Sequence, residues 1–283
     1  GAGAAGDIDG QNNFDSSGAA VALDATGTTI AIGARRNGSS AGQVRVYFTD
    51  GTTWSQVGGD IAGEAAGDYL GTTVAISGDG LRVASGAPFN SIGGSATNAG
   101  HVRVYSTDGT TWTQVGSDID GGAGDELGTS VSLNHAGTRL VAGGVGANFD
   151  TGVARVFDLT GSTWSQLGSD FDGDVATDEF ATAVAISGDG TSIVLGAPFH
   201  DTTAIDAGQV QIFAYQAVNT AAATEDAGMP GIYLVVAGPL GRKASGSPVY
   251  YGSDRVATTS TYLLTVTPVG NPGARVMVLA NGT

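Results

Sequence analysis

The sequence predicts an all-β chain: a β-propeller-like array of four four-stranded antiparallel blades, followed by a small, incomplete β-sandwich-like module. Three observations predict it. Apolar runs recur at a long period, turn signals rich in Asp and Gly separate them, and Gly makes up 48 of 283 residues. That is well over twice the usual share of about 7%. A hydrophobic fraction of 41% is enough to build a core.

The first strand of each unit reads Val21-Ala22-Leu23, Val74-Ala75-Ile76, Val131-Ser132-Leu133 and Val184-Ala185-Ile186, at spacings of 53, 57 and 53 residues. The second reads Ile30-Ala31-Ile32, Val83-Ala84-Ser85, Leu140-Val141-Ala142 and Ile193-Val194-Leu195. The third runs from Val44, Val102, Val153 and Val210. The fourth carries Trp, as TTWSQVG at 52–58, TTWTQVG at 110–116 and STWSQLG at 162–168. Each run is short and rich in β-branched residues, as strands are. Asp-Gly pairs between them supply hairpin turns. A single meander of this kind cannot bury both faces, so units must stack, and small residues on the inner strands suit a propeller axis.

Domain bounds follow. Residues 1–215 hold the repeats, 216–227 are an Ala/Thr-rich linker, and 228–283 form the sandwich-like module with four apolar runs. That module is about half the usual sandwich size of roughly 100 residues. Three solutions are open: the natural chain continues past Thr283, a neighbouring subunit donates strands, or the module packs on the propeller as a fifth, diverged blade. Gly6-Asp7-Ile8-Asp9-Gly10 matches the tail of a Trp strand whose front half is missing, and the fourth unit lacks its Trp strand. Three readings stay open: the N-terminal segment closes a small ring, the chain is a slice of a longer array, or a neighbouring molecule supplies the strand. With Gly1 first and no signal-like segment, the chain reads as processed or as a fragment.

These repeats resemble the FG-GAP family, the blades of integrin-alpha-type propellers. Gly86-Ala87-Pro88 and Gly196-Ala197-Pro198 keep the GAP tripeptide, which Gly33-Ala34-Arg35 and Gly143-Gly144-Val145 have lost. The fuller pattern, GSDIDG, then GAP, VRVY and W-x-QLG, is similar to repeats of marine bacterial and algal surface proteins. The resemblance implies an extracellular or cell-surface protein. It also implies Ca2+, held in the family by a D-x-D-x-D-G-x-x-D loop between the first two strands. Here that loop keeps one acid, Asp79 or Asp189, and the third unit has none.

The acids stand elsewhere. Asp170, Asp172, Asp174 and Asp178 form one D-x-D-G set; Asp118, Asp120 and Asp125 form a second; Asp7 and Asp9 begin a third. Alternating carboxylates beside a Gly could wrap a hard cation. Equally, they could cap turns by accepting backbone N–H bonds. STDGTTW at 106–112 resembles an Asp-box, a structural hairpin motif. Arg45, Arg103 and Arg155 recur at equivalent positions and read as strand-edge ion pairs with nearby Asp. Trp54, Trp112 and Trp164 read as blade packing, with glycan contact as the competing role. His101, His135 and His200 read as solvated loop residues.

No nucleophile elbow, phosphate loop or metal-binding His frame is present, so no catalytic set assembles. With no Cys, thiol chemistry is excluded. The net charge of −16 lies in residues 1–213, which alone carry −17. Such a surface repels phosphate backbones and anionic lipid, so neither nucleic acid nor membrane insertion is expected. Asn37 and Asn281 open N-x-S/T sequons, which are glycosylation candidates in a secreted eukaryotic chain. The function expected is non-enzymatic: a surface structural or adhesive subunit of a filament, coat or appendage. Its partners would be copies of itself or other surface proteins, with glycans as a further ligand class. Alternatives are a lectin-like glycan binder and a glycan-active hydrolase or lyase.

Overall fold

The computed structural model describes residues 6–92, 97–201 and 204–214. The expected linker 216–227 and module 228–283 lie outside the described residues. The chain divides into two compact units, Gly1–Gln211 and Ile212–Thr283.

Among the described residues, four antiparallel sheets follow one another in chain order. The first holds β1 (Ser17–Leu23), β2 (Thr29–Ala34), β3 (Gln43–Thr49), β4 (Trp54–Gln56) and β5 (Ile61–Ala62). The second holds β6 (Thr73–Ile76), β7 (Arg82–Ala87), β8 (His101–Thr107), β9 (Trp112–Gln114) and β10 (Ile119–Asp120). The third holds β11 (Leu127–Leu133), β12 (Arg139–Gly144), β13 (Val153–Thr160), β14 (Thr163–Gln166) and β15 (Phe171–Asp172). The fourth holds β16 (Ala183–Ile186), β17 (Ser192–Ala197) and β18 (Gln209–Ala214).

Three sheets thus have five strands where the sequence predicts four. The outer position is split: β4 and β5 both pair with β3, at opposite ends. Glycine at positive φ separates the two pieces, Gly58 in the first sheet, Gly116 in the second and Gly168 in the third. Left-handed backbone ends the Trp segment and re-aims the chain. The short second piece carries the D-x-D-G signature, so the head of each sequence unit is the edge of the preceding sheet.

The sheets stack through their first strands: β1 packs on β6, β6 on β11 and β11 on β16. At the first seam Ala31, Val44, Val46 and Ile61 meet Leu70, Val74, Val83 and Tyr105. The second seam repeats the chemistry, with Ala75, Ala84, Val102 and Val104 against Leu127, Val131, Leu133 and Leu140. Small residues on one side and larger aliphatics on the other let adjacent sheets approach closely.

The approach is close enough to explain the GAP glycine. A Cβ on Gly33 would stand 2.2 Å from the Gly71 carbonyl oxygen, one on Gly86 2.0 Å from that of Gly128, and one on Gly143 2.3 Å from that of Ala181. Backbone occupies the space a side chain would need. Leu70, Leu127 and Phe180, each fully buried, plug the same seams beside Gly42, Gly100 and Gly152. A file of turn bonds adds to each seam: Ala25 N–H donates to the Gly78 carbonyl, Gly78 to His135, and His135 to Gly188, at 3.1, 2.8 and 2.9 Å.

Candidate functional site

Two of the three recurring arginines meet acids at the outer edge of the third strand, in the second and third sheets. Arg103 on β8 grips Asp118 with both arms: Nε donates to Oδ1 at 2.9 Å and Nη2 to Oδ2 at 2.7 Å. The same Nη2 is ion-paired with Glu64. Arg155 on β13 repeats this, reaching Asp170 Oδ2 through Nε and Nη2 at 3.0 and 2.9 Å and Asp125 Oδ2 through Nη1 at 2.7 Å. Each guanidinium therefore ties an acid at its own sheet edge to an acid in the loop leading into that sheet. Fork geometry suits Arg to this bidentate role.

Arg45 differs. Its Nη2 donates to the Asp9 carbonyl at 2.7 Å and to Ser17 Oγ at 3.0 Å, and its Nη1 to the Tyr47 hydroxyl at 2.8 Å. The acid at its own sheet edge, Asp60, accepts from Gln56 and Gln11 instead. The Gln of W-x-Q has this job throughout, since Gln114 and Gln166 donate to Asp118 and Asp170 at 2.7 Å.

A second repeated contact escaped sequence reading. The acid of each G-D-x-x-G-type loop is buried or half-buried and is clamped by the residue two places beyond GAP. Asn37 Nδ2 donates to Asp15 at 3.0 Å and Asn90 Nδ2 to Asp68 at 3.0 Å, while His200 Nδ1 lies 2.5 Å from Asp178. In the third unit that position is Ala147, and Arg155 takes over on Asp125. An expectation is corrected here: His101 and His200 are buried, not solvated, and only His135 is exposed. Each buried ring sits against a carboxylate or within a polar cluster, a context that local sequence does not display. The sequon nitrogen of Asn37 is the one bound to Asp15, so a glycan there would displace that bond; Asn281 lies outside the described residues.

The remaining acids scatter. Asp7, Asp9, Asp120, Asp172 and Asp174 are exposed. Although its side chain reaches solvent, partial desolvation at the sheet edge and then neighbouring Asp118 push the Asp120 carboxyl up. Burial also opposes ionisation of Asp118 and Asp170, but the arginines outweigh it and hold both carboxyls low. No D-x-D-G set converges as a group of three or more metal-ligating side chains among the described residues. The one such group there is Glu64, His101 and Asp118, with ligand atoms within 4.8 Å of one another. The Arg103 guanidinium already lies among them. Burial and then Arg103 push the His101 imidazole down, favouring its neutral form. A divalent cation would have to displace Arg103 and strand it beside the ion, so this donor set does not fit Ca2+.

The single acids of the first hairpin are likewise committed. Asp79 accepts from Ser77 Oγ and the Leu81 N–H, and Asp189 from Ser187 Oγ, the Thr191 N–H and its hydroxyl. Asp108 of the Asp-box-like motif ties its own turn through Thr110 and Thr111. Trp112 Nε1 then donates to the Val57 carbonyl of the preceding sheet at 2.8 Å, and Trp164 Nε1 to that of Val115 at 3.0 Å. These indoles pack seams. A shallow cleft at the first seam is lined by Asp60, Ile61, Tyr105, Thr111 and Trp112, and Asp60 is its one carboxylate.

Comparison with known families bears on the last of these units. The model of the FG-GAP repeat matches residues 171–213. This stretch is an FG-GAP repeat. It takes in β15 through β17 and most of β18, including Gly196-Ala197-Pro198 and the His200 clamp. The three sheets before the FG-GAP match repeat its strand order and its turn bonds. No curated protein matches the chain. Among solved structures, hydrazine synthase of Kuenenia stuttgartiensis is similar at 14% identity and a TM-score of 0.48, over 74% of this chain and 49% of that one. A putative 6-phosphogluconolactonase from Bacteroides uniformis gives 14% identity and 0.49, over 70% and 50%. The chain spans about half the length of each, and neither likeness speaks to its activity.

Proposed function

We propose that this protein is a non-enzymatic structural subunit, working at a cell surface or outside the cell as part of a larger assembly. The observation that carries the reading is the pair of bare apolar faces at the two ends of the sheet array. Val21 and Leu23 on β1 are 62% and 58% exposed, and Val210 on β18 is 66% exposed. The equivalents of Val21 at the inner seams are buried, Val74 and Val131 at 8% and 7%, and those of Val210, Val44 and Val102, are at 0%. Exposed sheet faces of this kind mark interaction surfaces. The FG-GAP repeats support a surface location, and no described helix is long and apolar enough to cross a membrane.

The polar residues support a structural role as well. Arg103, Arg155, Gln114, Gln166, Trp112 and Trp164 are spent on neighbouring acids or on backbone, and the seam cleft holds a single carboxylate where glycoside hydrolysis uses two. In this reading guanidinium groups hold the acids that calcium would otherwise hold. The melting temperature is therefore expected to be unchanged in EDTA, whereas a bound cation would make it fall by mass action. Electron microscopy of native material tests assembly: rings or filaments are expected, and a field without particles larger than one chain would overturn the proposal.

A further inference from the structure

The two bare faces are the two halves of one interface that the chain already builds three times, and we propose that they join between copies, head to tail. This rests on the assembly reading above and names its partner: a second copy of this chain. The first sheet presents the side that β6, β11 and β16 turn toward a preceding sheet. The fourth sheet presents the side that β1, β6 and β11 turn toward a following one. Ala183 and Ala185, exposed on β16, stand where Ala20, Ala22 and Ala75 pack the inner seams.

Backbone details match at both ends. Gly196 stands where Gly33, Gly86 and Gly143 are met by backbone at 2.0–2.3 Å, yet a Cβ on Gly196 would meet nothing nearer than 3.7 Å. Its φ is not in the left-handed region, so among the described residues nothing in its own chain requires glycine. A following sheet would. Gly208 likewise keeps the position of Gly42, Gly100 and Gly152, without the plug that fills each of those seams. The file of turn bonds ends on the Gly188 N–H at one end and the Ala25 carbonyl at the other, a donor and an acceptor that fit each other. Ser17, where the other units have Leu70, Leu127 and Phe180, makes this junction less apolar than the inner seams.

The register of the joint can be stated. Ile61 pairs with Val44, Ile119 with Val102 and Phe171 with Ala154, so the D-x-D-G piece always edges the preceding sheet. Asp7-Ile8-Asp9 occupies that place in the first unit, but it is not a strand here, and β18 is the last strand of its sheet among the described residues. The equivalent pairing sets Ile8 of one copy opposite Val210 of the next. A heterologous contact of this kind generates closed rings or open filaments.

Because the chain has no Cys, cross-linking tests this without background. Full-length I8C and V210C chains are mixed under mild oxidation, since directly opposed strand positions lie within disulfide reach. A covalent product of twice 27.9 kDa is expected, and adding Gly196→Ala to the V210C chain should reduce it at least about tenfold without changing the circular dichroism of that chain. An I8C/V210C double variant that forms only an intrachain bond, with no product in the mixture, would show one chain closing its own ring and overturn the proposal. Absence of either bond would also overturn it, residues 215–283 or another molecule then covering the faces. In that case a native mass above 27.9 kDa would leave the assembly reading standing, and a mass of 27.9 kDa would remove both.

Discussion

Arg155 lies between Asp125 and Asp170, half-buried, and its removal leaves two carboxylates facing each other across a seam. Arg155→Met should cost about 2 kcal/mol, the figure for a buried pair reduced for partial exposure. For a domain of this size that is roughly 4–8 °C in melting temperature. Asp170→Asn should lose less, because Asp125 still engages the guanidinium. If both variants melt with the native protein, the arginine clamp is not what holds the seam. The turn aspartates contribute to the acid sensitivity. Asp50 falls from 3.8 to about 2 through the Thr52 hydroxyl and then the Thr52 and Thr53 N–H groups, and Asp189 to about 2 through the Ser187 hydroxyl and then the Thr191 N–H. A carboxyl lowered by folding stabilises fully above its unfolded value and loses that contribution as pH falls through its folded one. Melting temperature should therefore drop between about pH 4 and pH 2, and Asp50→Asn should flatten part of that drop. An unchanged acid slope in this variant would remove the turn bond from the account. At this scale much was legible: the Asp-box-like turn, the Trp packing and the Arg–Asp pairs all follow from recurring residue types. The Asp–Asn and Asp–His clamps did not, because their partners stand 22 residues apart and only the fold brings them together.

At the scale of the strand and its seam, the same substitution should have opposite consequences at two GAP glycines. In Gly86→Ala the new methyl meets the Gly128 carbonyl at 2.0 Å, so a strand must move, at a cost of about 3 kcal/mol. Gly196→Ala meets nothing within 3.7 Å, and the isolated chain should melt within about 0.5 kcal/mol of native. Thermal unfolding of the two variants side by side checks this, and equal losses would mean that the glycines answer to backbone conformation rather than to the neighbouring sheet. The strand pattern itself was readable because β-branched runs and Asp-Gly turns are local signals. The split outer strand was harder to see. Trp54–Gln56 and Ile61–Ala62 belong to one sheet edge, but Gly58 interrupts them and places the D-x-D-G piece at the apparent head of the next unit.

For the whole molecule, one repeating seam accounts for both the stacking and the open ends. Sheets that cannot bury two faces alone bury them serially, and among the described residues the four sheets leave one face of each kind bare. In the sequence, Asp7-Ile8-Asp9 repeats the D-x-D-G piece and the fourth unit has no W-x-Q motif. The sequence could not show which faces stay bare, since that depends on how the units pack. The most direct measurement is the light-scattering mass of the full chain across a dilution series, native beside Gly196→Ala. The native chain should show a mass in multiples of 27.9 kDa that falls on dilution, and the variant should hold at 27.9 kDa throughout. A native chain at 27.9 kDa at every concentration, or a variant that assembles as the native chain does, would contradict head-to-tail joining between copies.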